Sequence, residues 1–124
     1  MTFAVISVHS PKPEHRDAVI DSMRRYSRVA REQPGLEWTG VVDDEGGRLV
    51  GIALWESAES AAAARPALMA EVGDDPFTTW DERPIESFRG PARWLTARPR
   101  RRRRRASRRP SCGTAGRRSG SAPP

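Results

Sequence analysis

Two short stretches of this chain, residues 3–8 and 49–55, are apolar on both of the sides a β-strand would present. Side chains alternate across a strand, so one face of the first carries Phe3, Val5 and Ser7 and the other carries Ala4, Ile6 and Val8. The second has Leu49, Gly51, Ala53 and Trp55 on one face and Val50, Ile52 and Leu54 on the other. An antiparallel sheet that meets water on one side alternates apolar and polar residues. These two strands do not, so both sides of the sheet need cover. Burying one Val, Leu, Ile or Phe is worth about 1.5–3 kcal/mol, and a contiguous apolar patch marks an interface. A two-fold pair packed sheet against sheet is the simplest closed arrangement. A monomer whose second face is shielded by residues 77–96 is the alternative.

The rest of the pattern supplies the helices that cover the first face. Residues 3–9 are short and β-branched, which predicts a strand. Ser10-Pro11-Lys12-Pro13 ends it and opens a helix, with Glu14 and Asp17 near the positive helix end. Val19, Met23, Tyr26 and Ala30 then recur at helical spacing until Pro34-Gly35 stops the run. Residues 36–42 alternate as a strand, and Asp43-Asp44-Glu45-Gly46-Gly47 is a polar hairpin turn into residues 48–55. Ser57 is placed to cap a second helix over Ala58–Val72, with Ala61, Ala64, Leu68 and Val72 on one stripe. Pro66 falls inside it, so a kink or two short helices are expected. Residues 77–83 read as an irregular link containing Trp80, and residues 84–90 as a short last strand. The expected fold is α+β: a ferredoxin-like βαββαβ antiparallel sheet with two helices on one face.

Charge divides the chain in two. All 16 acidic residues lie at or before Glu86. Residues 1–96 hold 11 Lys and Arg against these 16 acids, whereas residues 97–124 hold 11 Arg and no acid. The first part is therefore not a uniformly basic nucleic-acid-binding domain. The second is almost devoid of bulky apolar residues and is expected to be a disordered basic tail. The expected division is a folded domain over residues 1–92 and an Arg-rich tail over residues 93–124. The run of six arginines at 100–105 admits salt-dependent binding to nucleic-acid phosphates. A solvated extension and translation in an altered reading frame are the other readings.

Other classes find little support. No apolar run approaches the length of a membrane span. The N-terminus has no basic region followed by a long apolar stretch, so a cytoplasmic protein is expected. The single Cys112 cannot form an intramolecular disulfide. Two histidines without CxxC or HExxH leave a zinc site without ligands, and no glycine-rich phosphate loop is present.

A strand followed by a Pro-containing loop, a helix closed by Pro34-Gly35, a hairpin, then Leu54-Trp55-Glu56-Ser57 leading into an alanine-rich helix resembles the antibiotic biosynthesis monooxygenase superfamily. The resemblance covers about residues 1–92. It implies a dimeric α+β barrel, a homodimer with a pocket between sheet and helices in each subunit. Members include oxygenases that use no cofactor and act on polycyclic quinol-like aromatics, and haem-degrading oxygenases. The haem-degrading members use an Asn on the first strand, a Trp on the second helix and a His after it. This chain has no Asn, places Ala64 near that Trp position, and has no His after His15. The polyketide-oxidising members also rely on an Asn, together with Trp, Tyr and Arg.

The expected activity is a cofactor-independent monooxygenase acting on a small aromatic or polyketide-like substrate. The alternative is a dimeric barrel of the same fold that binds a small ligand without turning it over. Such an oxygenase needs only an apolar, water-poor pocket, a base and orientation, because the deprotonated substrate itself reduces oxygen. His9, at the end of the first strand, is the candidate base; a strand-end histidine with no task is the plainer reading. His15, on a polar helix turn, is read as solvated. Trp55, Trp38 and Trp80 are candidates to wall a flat aromatic by stacking, and each could equally be a core or interface residue. Tyr26 lies on the buried stripe of the first helix, and Arg65 could meet an anionic substrate oxygen.

Overall fold

The computed structural model describes residues 1–96; the arginine run and Cys112 lie outside the described residues. Residues Met1–Arg93 form one compact unit. Its elements are β1 (Phe3–His9), a 3-10 turn (Pro13–His15), α1 (Arg16–Ala30), β2 (Leu36–Asp43), β3 (Leu49–Trp55), α2 (Ala58–Val72), a one-turn helix α3 (Phe77–Trp80) and β4 (Glu86–Pro91). The four strands form one antiparallel sheet in the order β2-β3-β1-β4. This is the ferredoxin-like α+β arrangement that the hydrophobic pattern implied.

The local signals act through identifiable contacts. Ser57 caps α2, its Oγ accepting the Ser60 backbone N–H at 3.0 Å. Gly35 turns the chain from α1 into β2 with φ +89°, and its carbonyl accepts the Glu56 N–H at 2.8 Å. A β-carbon there would lie 2.4 Å from Ser60 Oγ, so conformation and space both demand glycine. The turn thereby ties the end of α1 to the start of α2.

Three local expectations change. α2 runs unbroken through Pro66. Pro66 and Ala62, four residues earlier, both lie on the exposed side, so water can satisfy the carbonyl that proline leaves without a donor. Meanwhile Ala61, Ala64, Leu68 and Val72 hold both halves against the core. The segment after α2 contains the one-turn helix α3, and the last strand begins at Glu86, beyond Pro84. Proline cannot donate to a sheet ladder, which accounts for its place outside the strand.

The core lies between α2, α1 and the helix-facing side of the sheet, with Trp55, Ala53, Ala30, Ala61, Ala64 and Leu68 all buried. The opposite side of the sheet presents Ala4, Ile6, Val8, Val50, Ile52 and Leu54, continued onto the edge strands by Trp38, Val42 and Phe88, as the pairing requires. Trp38 and Val42 are 51% exposed and Phe88 is 54% exposed. The apolar reverse face read from the sequence is therefore present and open.

Candidate functional site

The helix-facing side of the sheet is not filled at its centre. Ser7 of β1 pairs with Gly51 of β3 and with Ser87 of β4, and Gly51 pairs with Val41 of β2. Three adjacent strands thus place Ser87, Ser7 and Gly51 in one row, where a packed core would hold large side chains. Above the row lies a cavity of about 230 Å³, somewhat smaller than the usual small-molecule pocket of about 300–1,000 Å³. Met23 of α1 and Met69 of α2 reach over it.

The two ends of the cavity differ in chemistry. His9 and Val5 lie on the same side of β1, on either side of Ser7, with α-carbons separated by about 13 Å along the strand. At the His9 end the walls are Val72, Phe77 and Ile85. His9 itself is buried, and its Nδ1 lies 3.2 Å from Oδ2 of the equally buried Asp81. The Phe77 ring lies against the imidazole, centroid to centroid 5.3 Å, and Trp80 meets Phe77 edge-on at 5.4 Å. At the Val5 end stand Tyr26 and Arg65. Burial pushes the Tyr26 phenol above its ordinary value, and the positive charges of Arg89 and Arg65 partly oppose that shift. A neutral phenol beside a cation is suited to meet an oxygen-bearing group of a ligand.

One wall is braced by charge. Ser22, buried in α1 on the cavity wall, donates to Asp75 Oδ2 at 2.6 Å. Arg25 donates to the same oxygen at 2.8 Å and to Asp21 at 3.0 Å. Its hydrogen bonds to Asp21 and then to Asp75 hold the guanidinium firmly protonated, its pKa raised from an already high value. The end of α2 and the loop after it are thereby fastened to α1.

Of the six residues singled out from the sequence, the structure brings His9, Tyr26 and Arg65 to this cavity. The three tryptophans do not line it. Trp55 is sealed in the core beneath α2, Trp38 stands on the open sheet face, and Trp80 backs Phe77 from α3. Sequence reasoning missed Asp81, Phe77 and the Ser7-Gly51-Ser87 row. Asp81 is 72 positions from His9 in a segment read as an irregular link, and no periodicity connects them. The row was visible only as small residues in separate strands. Among the described residues, no group of three or more His, Cys, Asp and Glu side chains is placed to hold a metal ion, and no helix is long and apolar enough to cross a membrane.

Comparison with known proteins agrees with this architecture. Residues 1–67 match the family described as antibiotic biosynthesis monooxygenase. No curated protein matches the chain by sequence. Among solved structures, a conserved protein of Methanosarcina mazei Go1 superposes with a TM-score of 0.64 at 14% identity, over 72% of this chain and 90% of that one. A protein of Mycobacterium tuberculosis gives 0.62 at 20% identity, over 77% and 100%. A variant of SnoaB, a cofactor-independent oxygenase from Streptomyces nogalater, gives 0.59 at 16% identity, over 76% and 95%. At these identities the structures speak for the fold, while the family match spans more than half of the chain. With its four-stranded sheet, its two covering helices and this match, the chain belongs to the antibiotic biosynthesis monooxygenase family.

Proposed function

We propose that the folded domain, residues 1–92, is a cofactor-independent monooxygenase that acts on a small aromatic, quinol-type substrate as a homodimer. The observation that carries this reading is a buried histidine on the wall of a largely apolar cavity, His9, with a phenol and a guanidinium at the far end. His9 takes a proton from a phenolic or activated C–H group of the bound substrate. The resulting anion transfers an electron to dioxygen, and recombination forms a carbon–oxygen bond as a hydroperoxide. Loss of water then leaves a carbonyl: one oxygen atom stays on carbon, and the other departs as water with the hydrogen still on that carbon and the proton that His9 removed. The proton held by His9 returns to the departing oxygen. Tyr26 and Arg65 orient the substrate through its oxygens, and the apolar walls exclude water from the reactive anion.

The open sheet face supports the homodimer in this reading. Trp38, Val42 and Phe88 extend an apolar surface built on Ile6, Val8, Ile52 and Leu54, and a second copy packed two-fold against it buries both. Trp38 serves in this reading as an interface aromatic. Its indole lies across Gly40, where a β-carbon would come within 2.2 Å of the ring.

A second reading, ligand binding without turnover, is favoured by one observation. The chain contains no Asn, the polar anchor on which the oxygenases of this family rely. Oxygen consumption with a panel of anthrones and naphthoquinols, comparing wild type with His9→Ala, separates the two. Turnover that falls about 100-fold or more in the variant supports the oxygenase. Tight binding with no consumption of oxygen by the wild type would establish the binding protein instead.

A further inference from the structure

The position of Asp81 carries an inference beyond the choice of His9 as base. Asp81 and His9 are each 5% exposed, and Asp81 Oδ1 has no hydrogen-bond partner among the described residues. A buried carboxylate with an unpaired oxygen is a burden on stability, and a well-packed apolar pair of the same volume would generally serve the fold better. Yet the backbone holds this carboxylate firmly in place. Pro11 and Asp81 form an antiparallel bridge, Lys12 N donates to Trp80 O at 2.8 Å, and Glu82 N donates to Ser10 O at 2.8 Å. Ser10 and Lys12, which flank Pro11 just after β1, are thus laced to the two residues that flank Asp81. Phe77 closes the imidazole from the side, its ring tilted by 44°.

An ionised carboxylate can only accept, so at 3.2 Å the His9 Nδ1 must be the donor. We infer that Asp81 is a positioning residue for His9. It fixes the Nδ1–H tautomer, leaves Nε2 unprotonated as the nitrogen offered to the cavity, and stabilises the imidazolium once Nε2 has taken a proton. Asp81 touches no substrate. Its role in turnover rests on the oxygenase reading, whereas its effect on the tautomer does not.

The test therefore has two arms. In the first, nitrogen-15 NMR of the full-length protein reads the imidazole tautomers, with His15→Gln used to assign the two histidines. Wild-type His9 is expected as the Nδ1–H tautomer. Asp81→Asn, whose amide can donate to Nδ1, is expected to convert it to Nε2–H. An Nε2–H ring in the wild type, or an unchanged ring in a folded Asp81→Asn, overturns the inference. If Asp81→Asn fails to fold, as judged by circular dichroism, the wild-type tautomer decides alone. In the second arm, Asp81→Asn is expected to lower kcat by about 100-fold or more with KM changed less than about threefold, and Asp81→Glu to recover part of the loss. Equal kcat in wild type and Asp81→Asn, with turnover still dependent on His9, also overturns it. A correct tautomer in a wild type that turns over no quinol refutes the oxygenase reading and leaves the positioning role standing.

Discussion

Ser7 of β1 and Gly51 of β3 face one another across the sheet, and a β-carbon added at Gly51 would lie 3.1 Å from Ser7 Oγ and 2.8 Å from Met23 Cε. The missing β-carbon leaves room between Ser7 and Met23. Gly51 makes the floor of the cavity, and the flexible end of Met23 rests over it.

Filling the floor should close the site before it harms the fold. In Gly51→Ala the main clash is with the far end of a methionine, which can rotate away, so the free energy of unfolding in urea should change by less than about 1 kcal/mol. In Gly51→Val the added methyl groups occupy the cavity itself. Affinity for a fluorescent naphthol probe should fall about tenfold or more, read by titration.

Charge on the open sheet face should break the proposed dimer. Wild type is expected to sediment at twice the 13.8 kDa chain mass at micromolar concentration. Phe88→Glu and Trp38→Glu each place a carboxylate in the apolar contact and should shift the protein to monomer, because an unpaired charge in such an interface costs several kcal/mol. Sedimentation equilibrium checks this, and an unaltered dimer in both variants would remove the sheet-to-sheet arrangement.

Tyr26 is the only tyrosine, so phenolate absorbance reports it alone. Burial favours its neutral form, and the folded protein should titrate above the ordinary value of 10. Between the unfolded and the folded value the native state holds the proton that the unfolded chain has released. Tyr26 therefore contributes fully below pH 10, and its contribution declines as pH rises toward the folded value. Tyr26→Phe should lose less stability than wild type across that alkaline window, measured by urea unfolding. Arg65→Ala removes one of the two opposing positive charges and should move the titration further upward.

The α1–β2 turn and the start of α2 should respond unequally to small substitutions. Ser57→Ala deletes a helix cap and should cost about 1 kcal/mol. Gly35→Ala forces an L side chain to φ +89° and against Ser60 Oγ at 2.4 Å, and should cost more than about 2 kcal/mol. Thermal unfolding of the two variants checks the order.

The sequence by itself was enough for the order of the strands and of the two long helices, the Ser57 cap, the apolar stripe from Val19 to Ala30 and the two-sided strands. Each of these depends on spacings of a few residues, which periodicity and steric preference settle locally. It also put forward His9, Tyr26 and Arg65, which line the cavity; for His9 and Tyr26 the place in a strand or on a helical stripe was the local guide. The fate of the tryptophans was a different matter: Trp38, Trp55 and Trp80 are chemically alike, and only the packing sent one to the open face, one to the core and one behind Phe77. The row of Ser87, Ser7 and Gly51 needed the register of three strands, and a shift of one residue would have turned each side chain to the other face. The approach of Asp81 to His9 needed α3 laced to the end of β1, a contact between positions 72 apart. Such meetings are decided by the free energy of the whole packed arrangement, to which no local stretch of chain has access.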